Sequence, residues 1–126
     1  MAGECGRLRV HLEEARLTRD TEMFGKMDPY VKMFSREQEW KSKVCDGGGK
    51  TPKWLSQFFD IDVKYLGDNL EFKIYDEDVG KDDFIAEGQT KLSALAVNGG
   101  MDEWFEVSYK GKAAGKLHLR CEWDPK

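Results

Sequence analysis

Apolar residues recur at every second position along most of the chain. Leu8, Val10 and Leu12 alternate with Arg7, Arg9 and His11, which predicts a strand with one buried face. Tyr30–Phe34 reads as a second strand after Pro29. Trp40, Ser42 and Val44 alternate with Lys41 and Lys43, Phe59, Ile61 and Val63 with Asp60 and Asp62, and Leu70, Phe72 and Ile74 with Glu71 and Lys73. Phe84–Leu92 and Trp104–Tyr109 follow as further strands. Leu117, Leu119, Cys121 and Trp123, alternating with His118, Arg120 and Glu122, make the last. Turn signals separate the runs: Gly47-Gly48-Gly49, Gly67-Asp68-Asn69, Asn98-Gly99-Gly100 and Lys110-Gly111-Lys112. No stretch holds a helical period for three turns, although Ser93–Val97 is long enough for one. Short strands with one polar face each predict an all-β fold, an eight-stranded antiparallel β-sandwich.

Length and composition agree with that pattern. A chain of 126 residues is read as a single domain over 1–126, and 40% hydrophobic with 35% charged residues suits a folded domain. The longest apolar run, Ala94–Val97, is far below the roughly 20 residues of a membrane-spanning helix. The opening Met-Ala-Gly-Glu-Cys-Gly lacks the apolar stretch of a secretory signal, so a cytoplasmic location is expected. Cys5, Cys45 and Cys121 are odd in number and form no Cys-x-x-Cys pair. They are read as reduced thiols, with Cys121 in the core.

Charge changes the picture through its distribution. The net charge is −4, from 20 Lys and Arg against 24 Asp and Glu, which disfavours nucleic acid as a partner. Eight of the acids, Asp20, Glu22, Asp28, Asp76, Glu77, Asp78, Asp82 and Asp83, fall in two short segments between strands. The rest of the molecule holds 20 basic against 16 acidic residues and is mildly positive. If both segments leave the same end of a sandwich, their carboxylates crowd one rim. Like charges that close raise each other's energy unless a cation neutralises them. Oxygen-only ligands on flexible loops select calcium. The acids Asp76, Asp78, Asp82 and Glu87 match positions 1, 3, 7 and 12 of an EF-hand loop, but Gly80 and Lys81 occupy positions 5 and 6. The flanks alternate as strands, so an EF-hand is not expected.

These segments resemble the C2 domain, the calcium-dependent phospholipid-binding sandwich. Gly25-Lys26-Met27-Asp28-Pro29-Tyr30-Val31 resembles that family's Gly-Lys-x-Asp-Pro-Tyr-Val segment. Tyr75-Asp76-Glu77-Asp78 followed by Asp82-Asp83-Phe84-Ile85 resembles its third calcium loop, and Thr51-Pro52-Lys53-Trp54 its second. The resemblance runs from Gly6 to Trp123, and it is to the small single-domain kind, such as plant elicitor-responsive proteins. The chain starts on the strand that enters the first calcium loop, and the extra strand, Lys116–Trp123, comes last. That is similar to the second, phospholipase-type topology. The resemblance implies calcium ligation by Asp28, Asp76, Asp78 and Asp83. Glu22 stands where the family has a further aspartate, with Asp20 and Asp82 as additional candidates. The third loop is one residue shorter than the common animal form. The second loop lacks the asparagine usual before its proline.

Other residues add to this reading. Met23 and Phe24 in the first loop and Val79 in the third are candidates for insertion into lipid; the alternative is packing against the sandwich. Lys32, Lys41 and Lys43 form a candidate anionic-lipid patch, since the family binds phosphoinositides on such a face; edge-protecting lysines are the alternative. His11 and His118 are expected on outward positions with no role, and Trp40, Trp54, Trp104 and Trp123 in core or barrel-end packing. No nucleophile motif or phosphate cradle is present in the sequence, so catalysis is not expected. The expected function is calcium-dependent binding to anionic phospholipid membranes, with peripheral association from the cytoplasm as calcium rises. The alternative is a calcium-independent module for a protein partner, favoured by Glu22 and the short third loop.

Overall fold

A computed structural model describes residues 5–126. Eight strands form: β1 (Gly6–Leu17), β2 (Pro29–Ser35), β3 (Gln38–Lys41), β4 (Lys53–Val63), β5 (Asn69–Asp76), β6 (Asp83–Lys91), β7 (Gly100–Tyr109) and β8 (Lys112–Pro125). All neighbours are antiparallel, in the order β3-β2-β5-β6-β7-β8-β1-β4. A single residue pair, Glu87 with Ser108, joins β6 to β7. The ladder is therefore two four-stranded sheets, β3-β2-β5-β6 and β7-β8-β1-β4, closed on each other as a sandwich. β8 lies beside β1, the placement expected of the second topology. A short helix, α1 (Leu92–Leu95), and a single 3-10 turn (Val97–Gly99) follow β6, and no helix among the described residues is long and apolar enough to cross a membrane.

The alternating residues face inward and fill the space between the sheets. Leu8, Val10, Ile61, Leu117 and Leu119 from one sheet meet Val31, Met33, Phe72 and Ile74 from the other, all fully buried. Phe72 meets Phe105 edge-on across the core at 6.1 Å between centroids. Gly88 sits beside Phe72 in the β5–β6 register, and a Cβ there would lie 2.5 Å from the Phe72 ring and 2.7 Å from the Glu106 carbonyl. Cys5, Cys45 and Cys121 are free thiols, and burial pushes the Cys121 thiol up to about 12.

The sandwich has two edge strands, β3 and β4, and side chains join them. The Gln38 amide donates from Nε2 to the Asp62 carbonyl at 2.9 Å and accepts the Asp62 N–H at 2.9 Å. Gln57 Oε1 accepts the Lys43 N–H at 2.9 Å. Trp40 stacks on Phe59 beneath this join, 6.1 Å between centroids.

Three sequence expectations need correction. β3 ends at Lys41 instead of running to Val44. The Ser42 hydroxyl accepts the Val31 N–H at 2.9 Å, replacing a ladder carbonyl, so Lys43 lies beyond the strand. β1 runs on to Leu17: a bulge between Leu12 and Glu14 shifts the inward set from Leu8, Val10 and Leu12 to Ala15 and Leu17. Trp104 is not in the core. It stands half-buried on the outer face, stacked on His118 at 4.9 Å.

Candidate metal centre at the loop rim

Two loops, 18–28 between β1 and β2 and 77–82 between β5 and β6, leave the same end of the sandwich. Asp76, the last residue of β5, ties them together. It is fully buried. Its Oδ1 accepts the Asp28 N–H at 2.7 Å, and its Oδ2 accepts the Thr21 hydroxyl at 2.8 Å. A carboxylate can be buried this way because both oxygens are hydrogen-bonded. The Asp28 carbonyl in turn accepts the Glu77 N–H at 3.0 Å.

Around Asp76 the structure gathers Glu22, Asp78 and Asp83, and one carboxylate oxygen from each of the four lies within 4.8 Å of the others. The remaining candidates are placed differently. The Asp28 side chain accepts the Gly47 N–H from the second loop at 2.7 Å. Asp82 accepts the Asp78 N–H at 3.0 Å through Oδ1 and the Tyr30 hydroxyl through Oδ2. Asp20 accepts the Glu22 N–H at 2.9 Å and shapes the first loop. Thr21 escaped the sequence reading; a hydroxyl between two acids in the loop was its one signal.

The crowding appears in the titration of Glu22. Its carboxyl is pushed up to about 7, chiefly by a hydrogen bond to Asp76 and by that group's charge. Burial and the charges of Asp78 and Asp83 add to the effect. Asp82 is held below the usual range by its bonds from Tyr30 and the Asp78 N–H.

A hard divalent cation fits this donor set. All four donors are carboxylate oxygens. Two oxygens on one calcium ion can be no further apart than about 5 Å, twice the usual 2.3–2.6 Å bond, and the group meets that limit.

Met23, Phe24 and Val79 project from the two loop tips and are 88%, 85% and 100% exposed. Met27, in the same loop, is fully buried, and its sulfur accepts the Thr21 N–H at 3.5 Å. On the outer face of the first sheet, Lys32 pairs with Lys41 across β2–β3 and with Lys73 across β2–β5. Lys41 lies over the Tyr30 ring at 4.6 Å and Lys32 over Tyr75 at 5.1 Å. Lys43 stands apart from this row. Lys73 joins it unforeseen, because only the β2–β5 pairing makes them neighbours.

The family model described as C2 domain matches residues 6–107. The chain belongs to the C2 domain family. Extended synaptotagmin-3 of Mus musculus is 37% identical over 123 residues, covering 94% of this C2 chain and 14% of that protein. The chain thus spans about one-seventh of the length of such curated relatives. Among solved structures, the calcium-bound C2A and C2B domains of extended synaptotagmin 2 superpose with a TM-score of 0.80 at 32% identity, over 98% of this chain and 47% of that one. A C2 domain-containing protein attributed to an elicitor-responsive gene gives 0.83 at 32% identity, over 100% of this chain and 93% of that one.

Proposed function

We propose that this C2 domain docks onto anionic phospholipid membranes when calcium occupies the loop rim. The carrying observation is the convergence of Glu22, Asp76, Asp78 and Asp83 within 4.8 Å, between loop tips that expose Met23, Phe24 and Val79. Kinship with a domain solved calcium-bound supports it. Glu22, Asp76, Asp78 and Asp83 would hold the ion, with Asp28 and Asp20 as neighbours that shape the loops. Bound there, calcium supplies the charge that offsets the carboxylates and coordination positions that lipid phosphate oxygens can take. Without it, the rim carboxylates repel anionic headgroups. Lys32 and Lys41 add attraction worth about 1 kcal/mol per basic residue near the surface. The domain then resides in the cytoplasm and joins the membrane as calcium rises.

The test is calorimetry with calcium, with and without phosphatidylserine vesicles, on wild type and Asp78→Asn/Asp83→Asn. These two acids are exposed, so the exchange spares the hydrogen bonds that bury Asp76. Calcium heat and calcium-dependent sedimentation should both vanish in the variant. Unchanged calcium affinity in the variant would refute the site. Vesicle binding indifferent to calcium in wild type would refute the calcium dependence.

A further inference from the structure

Along the outer face of β1 and β8, charge is matched strand to strand. Arg7 lies opposite Asp124, Arg9 opposite Glu122 and Glu14 opposite His118. His11 lies opposite Arg120, but His11 pairs with Glu122 at 2.7 Å and Arg120 with Glu13 at 3.1 Å. The pattern breaks at the loop end. There Arg16 lies directly opposite Lys116, both exposed, and neither forms an ion pair among the described residues. Like charges directly opposed across a ladder are destabilising. Glu106 sits opposite Lys116 on β7, yet the Lys116 ammonium lies over the Trp104 ring, 4.9 Å from its centroid. The Arg16 guanidinium lies over the same ring, also at 4.9 Å. Trp104 therefore gathers two unpaired cations, and its ring is kept in place by His118.

We propose that Arg16, Lys116 and Trp104 form a contact site for the phosphates of an anionic lipid surface, on the opposite sheet from Lys32 and Lys41. Two features select a membrane as the occupant. The strands that carry this site, β1, β7 and β8, reach the calcium rim: one cleft of about 840 Å³ is lined by Asp20 and Asp82 from the rim loops together with Tyr109 and Lys110 from the β7–β8 turn. A half-exposed tryptophan beside cations also suits the headgroup zone, where an amphipathic ring meets both apolar and polar surroundings. The site rests on the membrane reading for the identity of the surface and needs no calcium itself. It sets the tilt, bringing the second sheet down onto the bilayer.

The test uses phosphatidylcholine–phosphatidylserine vesicles and the double variant Arg16→Gln/Lys116→Gln. A control, Lys64→Gln/Lys91→Gln, removes the same charge at the far end. With calcium, the double variant should bind vesicles about thirtyfold more weakly, because two basic residues no longer face the lipid phosphates. The control should bind like wild type. Calcium affinity without lipid should not change, which separates this site from the rim. Chelator measurements on Asp78→Asn/Asp83→Asn isolate it further: residual vesicle binding there should disappear when Arg16 and Lys116 are also exchanged, even if the calcium reading fails. Equal vesicle binding by double variant and wild type would overturn the proposal. So would an acidic peptide that binds wild type but not the double variant while vesicle affinities stay equal, since the occupant would then be a protein segment.

Discussion

Replacing Met23 and Phe24 with alanine separates insertion from packing. The two side chains are 88% and 85% exposed, so nearly all of their apolar surface is free to enter lipid. Full burial is worth roughly 1.5–3 kcal/mol each, and the pair about 3–6 kcal/mol, or two to four orders of magnitude in affinity. Seating at headgroup depth gives less. Because these side chains touch little in the free domain, the exchange should shift folding stability by no more than about 0.5 kcal/mol. Met27→Ala, in the same loop, removes a fully buried side chain and should cost about 2–5 kcal/mol. The assay is vesicle co-sedimentation in calcium across a salt series. Screening shortens from about 8 Å at physiological ionic strength to about 3 Å at 1 M, so the charge contribution fades while the apolar one persists. Wild type should keep a salt-resistant fraction that Met23→Ala/Phe24→Ala lacks. If both proteins bind alike at every salt concentration, the tip does not insert and the reasoning is wrong.

Calcium at about one hundred times its Kd should stabilise the fold by about 2.7 kcal/mol, raising Tm by several degrees. Magnesium should do much less, given its demand for tight octahedral geometry; equal shifts would indicate charge screening alone. In chelator, Glu22 should make the fold less stable as pH rises. Its folded pKa of about 7 lies above the unfolded 4.5, so its contribution is complete below about 4.5 and lost as pH climbs through 7. Denaturant titrations at pH 5.5 and 8 check this, and Glu22→Gln should flatten that part of the profile. Asp60 and Asp82, held low, act the opposite way and lose their contribution as pH falls below the usual carboxylate range. Gly88→Ala should cost about 1–3 kcal/mol, because its methyl would press on the Phe72 ring and the fixed Glu106 carbonyl; thermal melting reads the loss.

The strands were legible because a period of two survives wherever the ladder is regular. It failed where the ladder shifts. The bulge after Leu12 hid the rest of β1, since Ala15 and Leu17 carry the opposite parity. Ser42 hid the end of β3, because a hydroxyl standing in for a backbone carbonyl leaves no mark on the alternation. Trp104 was misplaced by residue type, although its parity with Asp102 and Glu106 already pointed outward. The acids of the rim were readable as a cluster. Their division into those that converge and those that brace loops was not, because it depends on pairings such as Asp28 with Gly47 and Asp82 with Tyr30. Lys73 was invisible for the same reason: its neighbour Lys32 is distant in sequence.

The amide of Gln38, bonded through both its donor and its acceptor to the backbone of Asp62, imitates one residue of a missing strand. A chain that approached this flank to extend the sheet would find those two main-chain groups already taken. With Gln57, which takes the Lys43 N–H, this glutamine covers part of the open seam between β3 and β4, so the flank offers fewer free main-chain groups to an approaching strand.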